Sequence, residues 1–196
     1  MAPTRSRKAA VRFAAAALVV ASFVVPGPAW AAGGFVAGAP GLGDPFFPLA
    51  GNGGYDVTHY SLDLGYDPAT RRLDGAATIN ATATQNVSRF DLDLRGFDVA
   101  SVAVDGRAAS FTRDGQELVI TPQVGLRSGR PFTVSVSYGG VPVVITDPDQ
   151  SIEGWVPTND GAFVVGEPQG SPGWYPVNDN PTDKATYDIR VTVPDG

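Results

Sequence analysis

The residues whose types and spacing best suit chemistry lie late in the chain. In Gly166-Glu167-Pro168-Gln169-Gly170 a single carboxylate is set in a Gly/Pro turn, directly after the apolar run Phe163-Val164-Val165. Trp174 and Tyr175 follow a few residues on. A carboxylate at a strand end beside aromatic walls can hold a cationic amine through charge-assisted hydrogen bonds and the ring faces. From the residues alone a solvated loop glutamate is the simpler reading, because glutamate is ordinarily exposed.

Other chemistries are thinly provided for. There is no cysteine, which removes thiol nucleophiles, thiolate metal sites and any disulfide framework. The one histidine, His59, has no nucleophile elbow beside it and reads as a hydrogen-bonded or surface strand residue. Asp147, Asp149, Ser151 and Glu153 alternate like the start of a calcium loop. The central glycine and the distant bidentate glutamate are missing, so an ordinary acidic loop is expected. The paired glycines Gly33-Gly34 and Gly53-Gly54 do not lie between a strand and a helix, where a phosphate cradle would need them. Asn80-Ala81-Thr82 and Asn86-Val87-Ser88 match the glycosylation sequon, a pattern short enough to arise by chance.

The elements that must position Glu167 are strands. Tyr60, Leu62, Leu64 and Tyr66 alternate with polar residues, and Ile79, Ala81 and Ala83 repeat the period beyond the turn Asp67-Pro68-Ala69-Thr70. Phe90-Leu92-Leu94, Val102-Val104, Phe132-Val134-Val136-Tyr138 and Tyr187-Ile189-Val191-Val193 do the same. Asp105-Gly106 and Asp114-Gly115 predict tight hairpins, since primed turns need positive φ. No window carries the three-and-four spacing of an amphipathic helix. The expectation is an all-β chain, an antiparallel β-sandwich or strongly bent sheet. Thr146 to Thr158 and Gly166 to Asp183 are rich in Pro, Gly, Asp and Asn and predict long loops.

The N-terminus reads as a processing signal. Arg5, Arg7, Lys8 and Arg12 precede the apolar run Phe13 to Val25, and Ala29-Trp30-Ala31 offers a small-x-small cleavage site. A signal peptide over 1–31, cleaved after Ala31, predicts a secreted, extracellular product. Its loss removes four positive charges and takes the formal net charge from −6 to −10. That balance excludes nucleic acid and anionic membrane as partners, since both need a basic face. Residues 32–54, rich in Gly and Pro, read as a linker that docks at Phe46-Phe47-Pro48-Leu49, with the ordered domain at 55–196. The sequence stops just after a well-formed strand, as a truncated reading frame would.

Taken in order, these segments resemble the N-terminal domain of the aminopeptidase N family of zinc metallopeptidases, the gluzincins. The matching pieces are Tyr55-Asp56-Val57-x-His59-Tyr60-x-Leu62-x-Leu64, Leu73-x-Gly75, Phe90-x-Leu92-Asp93-Leu94, Val102-x-Val104-Asp105-Gly106 and Glu117-Leu118-x-Ile120. Gly166-Glu167-Pro168 and Asn178-Asp179-Asn180-Pro181-x-x-Lys184-Ala185-Thr186-Tyr187 resemble the segment that closes that domain. The resemblance implies a saddle-like β domain ahead of a thermolysin-like catalytic domain, which carries the HExxH helix, a further zinc-binding glutamate and the GAMEN segment. It places Glu167 where the family anchors the substrate's free α-amino group, as a substrate-binding residue. The family's Thr-Gln pair before this glutamate is replaced by Val164-Val165.

Neither HExxH nor GAMEN occurs in these residues, so no catalytic residue and no metal ligand is assigned to the chain. What the resemblance implies is a substrate-anchoring domain, inactive alone, of a secreted zinc aminopeptidase that removes N-terminal residues from peptides. Zinc would be held by the downstream catalytic domain of the same polypeptide, and the N-terminus of a peptide would be the substrate. The alternatives are a stand-alone secreted β-sandwich binding or adhesion module, and a relative on the same scaffold without zinc ligands.

Overall fold

The computed structural model describes residues 34–147 and 150–195. The expected signal segment, and Asp149 of the acidic loop, lie outside the described residues. In chain order the strands are β1 (Val36–Ala37), β2 (Tyr55–Asp67), β3 (Arg72–Ala83), β4 (Val87–Asp93), β5 (Asp98–Val104), β6 (Arg107–Ala108) and β7 (Ser110–Asp114). There follow β8 (Glu117–Thr121), β9 (Pro131–Gly140), β10 (Ile145–Thr146), β11 (Ile152–Pro157), β12 (Ala162–Val165), a 3-10 turn at Ser171–Gly173, and β13 (Thr186–Thr192). The chain is all-β: among the described residues there is no α-helix.

Three sheets form. Six strands run in the order β13-β2-β3-β9-β5-β6, four in the order β1-β4-β8-β7, and three in the order β10-β11-β12. Most pairings are antiparallel, as the alternation predicts. Two are parallel, β13 with β2 and β1 with β4, so the sheets are mixed. Period-two patterning fixes which face of a strand is buried, not the direction of its neighbour, and this is why the parallel pairs escape the sequence.

The core lies where apolar faces meet. Tyr60, Leu62, Leu64 and Tyr66 of β2 are buried, as are Leu73, Ala77, Ile79 and Ala81 of β3. Phe90, Leu92 and Leu94 of the smaller sheet pack into the same cluster. Aromatic contacts join the layers: Phe90 stands edge-on to Tyr55 at 5.5 Å and to Phe132 at 5.4 Å. Each fully buried Leu or Phe side chain contributes about 1.5–3 kcal/mol. The third sheet joins through Trp155, edge-on to Tyr66 at 5.0 Å.

Local turn chemistry behaves as expected. The Asp67 carboxylate accepts from the Ala69 amide at 2.9 Å and from the Thr70 hydroxyl at 2.8 Å, closing the β2–β3 connection. Asp105 and Gly106 both hold positive φ (50° and 73°) between Val104 and its partner Arg107. The second hairpin is displaced by one residue from its expected place. Asp114 pairs with Glu117, so Gly115-Gln116 forms the two-residue loop.

Two expectations need correcting. Thr146 to Thr158 is not one long loop, because it holds β11, which pairs with β12 from Gly154↔Val165 to Pro157↔Ala162. Glu153, Gly154, Trp155 and Val156 are buried in succession, so β11 shows no alternation to read. Residues 34–54 are fastened on both sides of the apolar knot, whose Phe46 is 84 % exposed, and the knot itself holds through the Leu49 carbonyl, which accepts from Gln116 at 2.6 Å. Gly38 donates to the Arg89 carbonyl at 2.8 Å, Gly53 to the Ala39 carbonyl at 2.8 Å, and Asn52 to the Asn178 side chain at 2.5 Å.

Candidate functional site

Glu167 stands two residues beyond the end of β12, in a turn closed by the Gly170 amide donating to the Gly166 carbonyl at 3.2 Å. The Glu167–Pro168 peptide is cis. The underside of the turn is fastened. The Gln169 amide donates to Glu153 Oε2 at 3.0 Å, and its side-chain nitrogen donates to Asp147 Oδ1 at 3.3 Å. Glu153 is buried, and burial foremost, with Asp147 adding to it, raises its pKa. Gly170 seats the turn by being small. A Cβ there would lie 2.2 Å from the Val165 carbonyl oxygen and 2.7 Å from the Gly154 amide nitrogen. Gly154, at φ +92°, adopts a conformation that a residue with a Cβ rarely takes.

The result is a carboxylate held outward on a fixed mount. Glu167 is exposed and, among the described residues, makes no hydrogen bond or ion pair. It can accept donors from a partner at no cost in broken internal bonds. Phe163 and Val164 of β12 are also exposed.

The aromatic walls expected beside it are not there. Tyr175 is buried, edge-on to Tyr60 at 5.6 Å, and its hydroxyl lies 3.3 Å from that of Tyr187. Trp174 is half-buried against Tyr175 (4.3 Å) and Trp155 (6.0 Å), and its carbonyl accepts from the Tyr138 hydroxyl. Large rings in this segment gain more from core burial than a loop surface could give them.

The Asn178-Asp179-Asn180-Pro181 segment serves as a clasp. The Asn178 amide donates to the Tyr60 hydroxyl at 2.9 Å, and its side chain bonds to Asp183. Asp183 in turn accepts from the Val57 amide at 3.0 Å, and burial raises its pKa to about 6. The Asp179 amide donates to Asp93 Oδ2 at 3.0 Å. These bonds tie the loop that follows Glu167 to both β2 and β4.

His59 is a strand histidine with bonded neighbours. Its Nδ1 lies 2.8 Å from Thr186 Oγ1, and its Nε2 lies 3.1 Å from Ser61 Oγ and 3.4 Å from Asp188 Oδ2, spanning β2 and β13. Among the described residues no three His, Cys, Asp or Glu side chains are gathered as a metal-binding set. The described residues therefore do not fit a zinc ion.

Alternation gives no sign of one group of residues, the carboxylates of Asp91, Asp93 and Glu117. They occupy polar positions of amphipathic strands and read there as solvent-facing, yet all three are buried. Burial raises Glu117 to about 8 and Asp93 to about 6, and also raises Asp91.

Residues 56–196 match the Peptidase M1 N-terminal domain. The chain belongs to the M1 peptidase family. Its M1 N-terminal domain is similar to that of a two-domain M1 zinc metallopeptidase, a Glu-to-Ala mutant bound to L-arginine, at 35 % identity and a TM-score of 0.74. It is likewise similar to a mutant M1 zinc metallopeptidase from Deinococcus radiodurans bound to a Tyr-Ser-Ala substrate, at 34 % identity and 0.73. A third similar structure, a mutant two-domain M1 enzyme bound to L-tryptophan, gives 35 % and 0.73. Each match covers 79 % of this chain and 36 % of the other, so the chain spans about a third of the length of these M1 enzymes.

Proposed function

We propose that this chain is the substrate-anchoring N-terminal domain of a secreted zinc metallo-aminopeptidase, with Glu167 binding the free α-amino group of a peptide. The observation that carries the reading is an exposed, unpaired carboxylate on a turn whose underside is bonded to Glu153 and Asp147. A mount of that kind spends no binding free energy on ordering the backbone beneath the anchor. The ligands named for the similar M1 structures, two amino acids and a tripeptide, all carry a free α-amino group.

The zinc and the residues that hold it belong to the remainder of the polypeptide, where the metal would supply Lewis-acid chemistry. This chain binds and orients, and by itself it is inactive. Val164-Val165 give the mount an apolar approach in place of a second polar anchor, so Glu167 carries the amine alone from this side. Export follows from the leader at 1–31, and N-terminal sequencing of the mature protein should begin at Ala32.

The test is Glu167→Ala in the full-length enzyme. Losing one partner of a desolvated charge pair costs about 2–5 kcal/mol. That predicts a fall in kcat/KM for amino-terminal substrates of roughly 30- to several-thousand-fold. An unchanged kcat/KM would remove Glu167 from the site.

A further inference from the structure

Residues 34–54 lie against a face of the four-stranded sheet that no solvent-facing strand should have. Alternation puts Phe90, Leu92, Leu118 and Ile120 on the core side, and Asp91, Asp93 and Glu117 on the other. Asp93 pairs directly with Glu117 across β4 and β8, so their carboxylates stand side by side. Residues 49–52 cover them. The Gly51 amide donates to Asp93 Oδ2 at 3.2 Å, and Gln116 bridges from the Leu49 carbonyl (2.6 Å) to Asp93 Oδ1 (3.0 Å). Asn52, 1 % exposed, closes the cover.

Glu117 is 5 % exposed, and both of its oxygens lack a hydrogen-bond partner, as does Oδ1 of Asp91. The Asn52 and Gln116 amides lie close enough to ease a charge on Glu117, but they make no hydrogen bond of normal geometry to it. The cations around the cluster are committed or peripheral. Arg95 bonds Gln116 Oε1 at 2.7 Å, Arg113 bonds the Leu94 carbonyl, and Arg89 is exposed. Asp114 from β7, Asp179 from the loop after Glu167, and Glu153 of β11 beside Asp179 add further negative groups. Asp44 is the one charged residue of the covering segment, and it accepts from the Phe46 and Phe47 amides.

Adjacent buried carboxylates can be accommodated together while they hold protons. An ionised Asp93 is eased in part by the three N–H groups that donate to it. An ionised Glu117 needs water or a counter-charge, and the least costly way to admit water is to move the segment on top. We infer that residues 34–54 form a pH-released strap, seated over Asp91, Asp93 and Glu117 while these share protons and lifted when they ionise. The device does not depend on the function of Glu167. The sign agrees with the groups themselves, since burial takes Asp93 to about 6 and Glu117 to about 8. Each withdraws stability from the seated state as pH rises from its ordinary value to its raised one, Asp93 up to about 6 and Glu117 up to about 8, and adds no further cost above that.

The experiment is hydrogen–deuterium exchange of the full-length protein between pH 5.5 and 8.5, read as protection factors so that intrinsic exchange is corrected. The Val36, Gly38, Gly51 and Gly53 amides report on the strap. Those of β2 and β9 report on global opening. In the wild type, strap protection should fall at least tenfold by pH 8.5 while β2 and β9 stay protected. Glu117→Gln, a neutral isostere that leaves Asp93 and Asp91 to titrate, should clearly reduce the fall in strap protection. Flat wild-type protection overturns the proposal, as does an equal loss in strap and core or an undiminished loss in Glu117→Gln. If Glu117→Gln does not accumulate, Asp91→Asn is judged by the same criterion.

Discussion

Replacing Gly170 by alanine tests whether the Glu167 mount is as tightly seated as its geometry requires. Gly170 has φ −75° and ψ −18°, a conformation that alanine adopts freely. Its cost is therefore purely one of space. The new Cβ would lie 2.2 Å from the Val165 carbonyl oxygen, where ordinary contact begins at 3.4 Å, so one side must retreat by about 1.2 Å. The obstructing atoms are backbone on both sides, Val165 O and Gly154 N, and no side chain can swing away. Overpacking of this kind costs about 1–3 kcal/mol. For a folded unit of this size that lowers Tm by roughly 2–12 °C. A displacement of about 1 Å at a positioning group costs on the order of 100-fold in rate. Gly166→Ala is the matched control at the other end of the same turn, where the nearest atom is the Ser171 hydroxyl at 3.8 Å. Thermal unfolding and kcat/KM of both variants in the full-length enzyme decide the matter. Gly170→Ala should lose stability and activity, and Gly166→Ala should keep both. If Gly170→Ala melts with the wild type and retains its kcat/KM, the mount is not fixed by this contact and the reasoning is wrong.

Other expectations follow from the same structure. Tyr60→Phe removes the acceptor of the buried Asn178 amide and should destabilise by about 1–3 kcal/mol, measured by chemical denaturation. An unaltered midpoint would mean that water replaces the hydroxyl. Leu92→Ala, fully buried between the sheets, should cost about 2–5 kcal/mol. His59→Ala in the full-length enzyme should leave zinc stoichiometry unchanged, and loss of metal would contradict the strand role of His59. Stability should also decline as pH rises from about 4 to 8. Burial lifts Glu117 to about 8, Asp179 to about 7, and Asp93 and Asp183 to about 6, so the native state holds more protons than the unfolded chain across that window. A Tm that climbs over this range would refute the assignment.

Much of the fold was legible in the residues. The strands with one dry face, β2, β3 and β9, announce themselves by period two. So do β4, buried on both faces from Phe90 to Asp93, and β13, exposed along its length, and Asp105-Gly106 marks its hairpin correctly. What stayed hidden has physical causes. β11 is buried on both faces and so lacks alternation, and β1 is two residues in a Gly/Pro-rich stretch. The parallel pairing of β13 with β2 joins segments more than a hundred residues apart, which no local pattern encodes. At the candidate site, Glu167 was visible as a turn carboxylate, but its freedom from internal partners was not. Trp174 and Tyr175 suggest walls because loop aromatics are recognised by composition, and only packing shows that they turn inward. Asp93 and Glu117 occupy polar positions that usually face water. They become interior because residues 34–54, and for Asp93 also the loop at Val177 to Asp179, fold across them.

The seam between β2 and β13 bears on how the domain is made. His59 and Thr186, in contact across it, are 127 residues apart. A ribosome adding about 5–20 residues per second finishes one strand roughly 6–25 s before it supplies the other. During that interval one edge of β2 stands open, and Tyr60 lacks the ring of Tyr187 that later stacks on it at 4.9 Å. An unpaired edge of thirteen residues is an invitation to wrong partners. The nascent protein must therefore be kept apart from its neighbours, or kept unfolded, until nearly the whole domain has emerged.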